Sequence, residues 1–408
     1  MKIFFPSYLV LGVLASLIAT SAQAQLAVQG ETVHTMAGDV LHDAIVLIKG
    51  GKIEAVGTKT NLRIPDGYKV VSAKVVVPGL IDAHTTVGVS GLLNHNHDQE
   101  QLDKTGPMQP ELRAVDSYNS LDPLVDFVRS LGITTLHTGH GPGALISGQT
   151  FVVKTAPSTL DHATLNAATT LACTFGPGAL NMGKDKAPGT VSKAMAMFRA
   201  ELIKASEYKE KLTKTDAEKH PSRDLRLETL QRALEGKQPL MITVQRHQDI
   251  LAVLRLAAEF KLKIILDGVA DAALVIKEIK ASGFPVILHP TLARPSEELE
   301  NLSFETAAKL QKEGILFALQ SGFESYVPKT RIVLFEAAAA AANGLTFAEA
   351  LASITINPAK ILGLTERVGS IAPGKDADLA LYDGDPFEYT THCVGTVISG
   401  VLESGQPR

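Results

Sequence analysis

The middle of the chain alternates between short apolar runs and segments with helical periodicity. The clearest helix covers residues 249–260, where Ile250, Leu251, Leu254 and Ala257 recur at helical spacing. Most of the apolar runs are hydrophobic on both faces, as buried parallel strands require. The pattern predicts strands over residues 133–136, 150–153, 240–244, 263–266, 285–288 and 315–319, and further helices over 272–282, 304–313 and 331–343.

Strands that alternate with helices at this interval are predicted to be parallel and joined by crossover helices. A TIM-type (β/α)8 barrel over residues 78–364 fits this order best, and an open doubly wound sheet is the alternative. Residues 193–237 interrupt the alternation with a dense run of mixed charges. This run is either a solvated helical excursion between two strands or a lid over the barrel mouth.

Both ends of the chain have a different pattern, rich in strands and turns. Residues 44–49 and 52–57 flank Gly50-Gly51, which predicts a hairpin. Further strands are predicted at residues 69–71, 75–77, 378–382 and 394–401. Each end alone is too short for a stable sheet with a buried face. We therefore predict that residues 25–77 and 365–408 together form one small β-sandwich-like domain beside the barrel.

The first 24 residues have the pattern of a secretory signal peptide. Lys2 supplies a positive charge, residues 3–19 are almost wholly apolar, and Ala22 and Ala24 provide the small residues of a cleavage site. A membrane anchor is the alternative, but no basic stop-transfer cluster follows the apolar run. The predicted mature chain begins at Gln25 and is periplasmic or secreted.

Charge and cysteine content exclude several functions. The formal net charge is −4, so no basic field predicts binding to nucleic acid or to an anionic membrane. Cys173 and Cys393 are far apart in sequence, and they either pair in an oxidising compartment or stay separate as small buried residues. The sequence has no Cys-x-x-Cys, which argues against a thiolate zinc site.

Residues 77–88, Val-Pro-Gly-Leu-Ile-Asp-Ala-His-Thr-Thr-Val-Gly, are the most informative stretch. A buried apolar run ends there in Asp82 and His84, and polar groups at the carboxyl end of a barrel strand point into the catalytic mouth. This entry into a first barrel strand resembles the amidohydrolase superfamily, in particular exported relatives of imidazolonepropionase. Residues 357–364 and 368–379 resemble the family's return from the barrel to its small β-domain, and residues 132–135 and 145–149 resemble further landmarks.

The resemblance implies a hydrolase that uses a divalent metal to activate water, held first by a His-x-His pair. In this chain that pair is His84 and Thr86, and a neutral hydroxyl is a poor ligand for zinc. The family's strand-five histidine corresponds to Thr243, and its strand-eight acid corresponds to Gly322. His84 is therefore the one metal ligand that the resemblance retains. The cofactor that the family implies is zinc or another divalent ion. We find no counterpart of the family's bridging lysine.

Three residues at predicted strand ends are the candidate catalytic residues. They are His84, Asp267 at the family's strand-six position, and His289, which follows the strand predicted over residues 285–288.

The remaining histidines carry weaker hypotheses. His95 and His97, next to Asp98, form either a transplanted metal pair or part of a solvated loop. His137 and His140 follow a predicted strand, where they either line the mouth or cap a turn. His247 is predicted at a helix start. The histidines predicted to lie on the surface are His34, His42, His162, His220 and His392.

Two functional hypotheses of different classes follow. The first is a hydrolase of C–N bonds outside ordinary peptides, with a cyclic amide or an amino-acid amide as its small-molecule substrate and an altered metal site or none. The second is a catalytically silent, metal-free relative that binds a ligand or assembles with an active paralogue or with further copies of itself. A periplasmic small-molecule receptor is a more remote third.

We predict that the exported protein begins at or near Gln25, because the charge, the apolar run and the Ala-x-Ala order together specify cleavage there. N-terminal sequencing of the periplasmic protein measures this directly. An intact Met1 on membrane-bound protein contradicts the prediction.

Overall fold

The computed structural model describes residues 25–92, 95–180, 188–214, 220–295, 297–322 and 332–404. The predicted signal peptide, residues 1–24, lies outside this part of the chain. The fold is mixed α/β. Within the described residues, no helix combines the length and the apolar character that crossing a membrane requires.

A seven-stranded sheet is built from both ends of the chain. Its strands follow the order β17-β16-β15-β4-β1-β2-β3. The N-terminal strands are β1 Leu26–His34, β2 Val40–Lys49, β3 Lys52–Thr58 and β4 Lys69–Pro78. The C-terminal strands are β15 Leu379–Tyr382, β16 Cys393–Ile398 and β17 Val401–Ser404. Because β4 pairs with β15, strands from the two chain ends share one sheet, as the sequence predicts. The boundaries of the two predicted domains stay a prediction.

Local sequence accounts for the sheet's hairpin and for its two buried faces. Gly50 and Gly51 both have positive φ, which matches the tight turn predicted between β2 and β3. Side chains alternate along β1 and β2. Val28 and Val46 join one apolar cluster with residues of β15 and β16, whereas Ala27 and Ile45 join a second cluster covered by residues 62–68. The described strands thus form one sheet with apolar residues on both faces.

Residues between the two parts of the sheet form strands and helices in close alternation. The strands are β5 Leu80–Thr85, β6 Ile133–Thr138, β7 Gly148–Gln149, β8 Phe151–Lys154, β9 Thr164–Asn166, β10 Leu171–Thr174, β11 Leu240–Val244, β12 Ile264–Gly268, β13 Val286–Leu288 and β14 Phe317–Ala318. The helices are α1 Pro123–Arg129, α2 Leu160–Ala163, α3 Val191–Leu212, α4 Leu225–Leu234, α5 His247–Phe260, α6 Ile276–Ser282, α7 Thr306–Lys312, α8 Val333–Ala342, α9 Phe347–Ser353 and α10 Ile356–Ile361.

The paired strands in this region form a ring. Strands β10 to β14 pair in parallel in chain order, and β5 pairs in parallel with β6. A parallel bridge between Thr85 and Gly322 connects the end of β5 to the segment after β14. On the other side, β8 pairs with β6, and β7, separated from β8 by Thr150 alone, pairs with β10. The carboxyl ends of the parallel strands therefore meet on one side of the ring.

One strand of the ring runs against the predicted direction. The strand predicted over residues 150–153 was expected to be parallel, but β7 and β8 are antiparallel to β10 and β6. Residues 139–147 connect β6 to β7 without a helix, and a short connection returns the chain antiparallel, since a parallel return needs a crossover of a dozen or more residues.

Several predicted boundaries also differ from the structure. The strand predicted over residues 315–319 is only the two-residue β14, and the strand predicted over 394–401 is split into β16 and β17 by a turn at Ser399 and Gly400. The helix predicted from residue 272 begins as one 3-10 turn, and α6 starts at Ile276. The helix predicted over 331–343 corresponds to α8, and its first residue lies outside the described part. His247 begins α5, as predicted.

The mixed-charge run forms helices that pack on the ring. Ala194, Phe198 and Leu202 on α3 are fully buried in the main core at helical spacing, while charged residues cover the other face. The lid interpretation of residues 193–237 is not supported, because none of the described residues in this range lines the cavity at the strand ends. The helices are an excursion with one buried face.

A buried group of ionic residues joins the ring to the sheet. The Lys154 ammonium, at the end of β8, lies 2.8 Å from an Asp376 carboxylate oxygen and 2.9 Å from one of Asp378. It also donates to the Ser399 hydroxyl. Lys52 binds the same Asp376 from the sheet side, but its side chain is half exposed.

We predict that Lys154→Met destabilises the protein by about 3–5 kcal/mol, since it leaves a buried carboxylate without its counter-charge. Lys52→Met is the matched control, and it costs under about 1 kcal/mol, because the Lys52 side chain is half exposed and Asp376 keeps Lys154 and Arg367 as partners. Urea unfolding monitored by circular dichroism measures both values. Equal losses for the two variants contradict the buried role of Lys154.

Candidate functional site

Four buried side chains meet where strands of the ring end. His84 is at the end of β5, Thr243 on β11, Asp267 on β12, and Gln320 just after β14. His84 Nδ1 lies 3.1 Å from Asp267 Oδ1, and Gln320 Nε2 donates to the same oxygen over 2.7 Å. Thr243 donates its hydroxyl proton to Oδ2 over 2.6 Å. We call these four residues the Asp267 cluster.

The charges of the cluster support one another. Burial by itself would lower the pKa of His84, but the Asp267 carboxylate beside it outweighs burial and raises that pKa above its ordinary value. Burial likewise acts to raise the pKa of Asp267, and His84 with the hydroxyl and amide donors brings it below its ordinary value. Each partner therefore favours the charged form of the other.

A second buried carboxylate, Asp82, lies in the same strand as His84. Asp82 Oδ1 accepts hydrogen bonds from the backbone N–H of Ser321 at 3.0 Å and of His84 at 3.4 Å. Burial raises the pKa of Asp82 to about 6. Asp82 thus connects β5 to the segment after β14, at the place where the ring closes.

His289 has the opposite character to His84. Its Nδ1–H donates to the Pro290 carbonyl over 2.9 Å, and Nε2 is buried without a hydrogen-bond partner in the described structure. Burial lowers the pKa of His289 to about 4, so the ring is neutral near pH 7. In a neutral ring that carries its proton on Nδ1, Nε2 is an acceptor.

One cavity of about 480 Å³ brings the three candidate catalytic residues together. His84, Asp267 and His289 all line it, with Thr243 and Gly322 at lost ligand positions. The other lining residues are Pro142, Gly143, Thr174, Phe175, Gly178, Gln245, Gly268, Pro290, Ala293, Arg294, Glu298, Leu299, Gln320 and Ser321.

Sequence reasoning missed Gln320, Gln245, Arg294 and Glu298 in this cavity. A signal for Gln320 was present, because alternation along a strand places it on the same face as Gly322. Arg294 lies in an irregular stretch after β13, and Glu298 lies in the 3-10 turn Glu297–Leu299. Both stretches are too short to show a periodicity from which the side-chain direction could be inferred.

The other candidate histidines lie elsewhere. His95 and His97 are exposed and stack on each other, with His97 3.3 Å from Asp98. His137 is buried inside the ring, where it donates to the Ala83 carbonyl and contacts the Thr150 hydroxyl, and burial lowers its pKa to about 3. His140 is buried too, and neither it nor His137 lines the cavity mouth.

The surface prediction holds for four of the five remaining histidines. His42, His162, His220 and His392 are exposed. For His34 it is wrong, because this side chain is half-buried against the Phe347 ring, with ring centroids 4.7 Å apart. Cys173 and Cys393 are separate free thiols.

The residues present do not fit a tightly held divalent metal. Across the described ranges, no three His, Cys, Asp or Glu side chains are placed to hold one ion together. At the family's ligand positions, Thr243 uses its hydroxyl to donate to Asp267, and Thr86 offers only a neutral hydroxyl.

The backbone at Gly322 opposes the return of an acid. Gly322 has a φ of +66°, and a Cβ there would lie 2.8 Å from Pro290 Cγ. An L-residue in this left-handed conformation costs about 1–2 kcal/mol before any clash is counted.

We predict that Gly322→Asp destabilises the protein by more than Gly314→Asp. Gly314 has a similar φ of +70° but open space around its Cβ, so it reports the backbone strain alone. Thermal unfolding of both variants measures the difference. Equal shifts would show that the Pro290 contact relaxes without cost.

Comparison with known proteins agrees on one superfamily. The model of the Amidohydrolase family matches residues 330–402. The chain is 25% identical to amidohydrolase tasK of Hapsidospora irregularis over 398 residues, which cover 89% of this chain and 40% of that protein. It is 23% identical to an imidazolonepropionase of Solibacter usitatus over 380 residues, which cover 87% and 88% of the two chains.

A solved structure extends the likeness to the fold. The crystal structure of an amidohydrolase from Thermotoga maritima superposes with a TM-score of 0.87 at 28% identity, covering 92% of this chain and 99% of that one. The chain spans less than half of tasK but nearly the whole of this structure and of the imidazolonepropionase. The family model, the imidazolonepropionase relative and the solved structure together support the amidohydrolase superfamily and an imidazolonepropionase-like chain.

Proposed function

We propose that the protein is a hydrolase that cleaves the C–N bond of a cyclic amide or an amino-acid amide bound in the cavity. One observation carries the proposal: His84 and His289 line the same cavity, and their surroundings shift their pKa values in opposite directions. Titratable groups that are separated in this way mark an acid and a base.

The two histidines divide the proton transfers between them. His289 Nε2 accepts a proton from water as the water oxygen attacks the amide carbon. His84, held by Asp267, donates a proton to the departing nitrogen as the C–N bond breaks. One water is consumed, and exchange with solvent returns both rings to their starting states. No step depends on a metal ion, because the donor set does not fit one.

The size and lining of the cavity support a small polar substrate. A volume of about 480 Å³ is within the range of pockets that enclose small molecules. Thr174, Gln245 and Gln320 offer neutral hydrogen-bonding groups, and Arg294 and Glu298 add one charge of each sign. This mixture suits amide groups better than an extended apolar ligand.

Three broader proposals accompany this function. The ring of strands is proposed to be a (β/α)8-type barrel in which one strand is reversed, with a small β-domain beside it. The protein is proposed to be exported through its first 24 residues and to act in the periplasm or outside the cell. The third proposal is that the chain assembles with further copies of itself or with an active paralogue.

We predict that purified protein opens hydantoins or lactams, or releases ammonia from amino-acid amides, in a panel assayed by liquid chromatography. His289→Gln should lower kcat/KM by about 100-fold or more, since general acid–base groups contribute at least that much. His97→Gln, which alters an exposed histidine outside the cavity, should leave turnover unchanged.

Saturable binding of panel compounds without turnover would contradict the hydrolase proposal and support the catalytically silent alternative. Calorimetric titration of the same compounds makes this distinction. An equal loss of activity in His289→Gln and His97→Gln would remove His289 from the proposed mechanism.

A further inference from the structure

We infer that the Asp267 cluster takes the place of a metal ion at this end of the ring. In this arrangement protein donors satisfy the carboxylate that would otherwise attract a cation. The inference concerns binding and stability, so it stands whether or not the proposed hydrolysis occurs, and its tests use no substrate.

Both oxygens of Asp267 already have strong donors. Oδ1 receives His84 at 3.1 Å and Gln320 at 2.7 Å, and Oδ2 receives Thr243 at 2.6 Å. The donors come from three other strand ends round the mouth. About one of the carboxylate's four lone-pair sites is left, on Oδ2. A cation that bound both oxygens would have to displace a donor, which would then be buried without an acceptor.

Charge balance leads to the same conclusion. Asp267 is 2% exposed, and an isolated carboxylate at that depth is very costly. The His84 ring, 3% exposed, lies beside this carboxylate, with its Nδ1 3.1 Å from Oδ1. A divalent ion at Asp267 would have to share the carboxylate with the His84 ring, which already faces it.

The two threonines at lost ligand positions differ in a way that makes the inference testable. Thr243 donates to Asp267, whereas the Thr86 hydroxyl is buried with no hydrogen-bond partner in the described structure. Both are buried; Thr86 directly follows β5, and Thr243 is one residue before the end of β11. Thr243→Val therefore removes a hydrogen bond to Asp267, whereas the isosteric change Thr86→Val removes none.

The first experiment measures metal directly. The full mature chain is expressed in zinc-supplemented medium, dialysed, and examined by mass spectrometry for zinc, manganese, iron and nickel. Well below one ion per chain is expected, with the same Tm in EDTA and in added zinc. One equivalent that survives dialysis, or a Tm that falls on chelation, overturns the inference.

The second experiment tests the donors. Thr243→Val should lower Tm by several degrees, Thr86→Val should leave it unchanged or raise it, and Thr243→Ser, which keeps the hydroxyl, should recover most of the loss. Equal Tm values for Thr243→Val and Thr86→Val overturn the inference. If Thr243→Val does not fold while Thr243→Ser does, the hydroxyl is shown to be required, as the inference states.

Discussion

A carboxylate buried at the end of β12 constrains the whole mouth of the ring. Asp267 cannot lie there unless donors surround it, and the donors come from β5, β11 and the segment after β14. Each of these strand ends is therefore fixed relative to the others by a hydrogen bond. His84, Thr243 and Gln320 all bind Asp267, and all four residues line the cavity. These hydrogen bonds therefore fix this part of the cavity wall.

Sequence patterns predicted those parts of the fold that short-range physics determines. The Gly50-Gly51 hairpin followed from the positive φ that its turn needs, and α5 followed from a 3.6-residue period. The direction of β8 was not predictable from its apolar run, because direction depends on the connection and not on the strand. The short length of β14 was not predictable either, because the end of a strand depends on where its neighbours stop pairing with it, and not on its own apolar residues.

The candidate site was predictable where a family landmark or a strand end marked it. His84, Asp267 and His289 were identified in this way, and the structure brings them to one cavity. The comparisons support the superfamily. Gln320 was not predicted, because the family landmark in this stretch is the acid that Gly322 replaces, and no landmark marks an amide two residues earlier. His34 was misjudged because its burial depends on Phe347, a contact more than 300 residues away in sequence.

The reversed strand also has a consequence for protein engineering. Because β8 is antiparallel to β6, the last residue of β8, Lys154, pairs with Thr135 near the beginning of β6. The carboxyl end of β8 therefore faces away from the cavity. The residues that follow, Pro157 to Thr159, are exposed on the side opposite the mouth. In a ring of parallel strands only, the segment after every strand would border the active face. Here one such segment is a natural place for an affinity tag or a fluorophore, well separated from whatever binds at the other end.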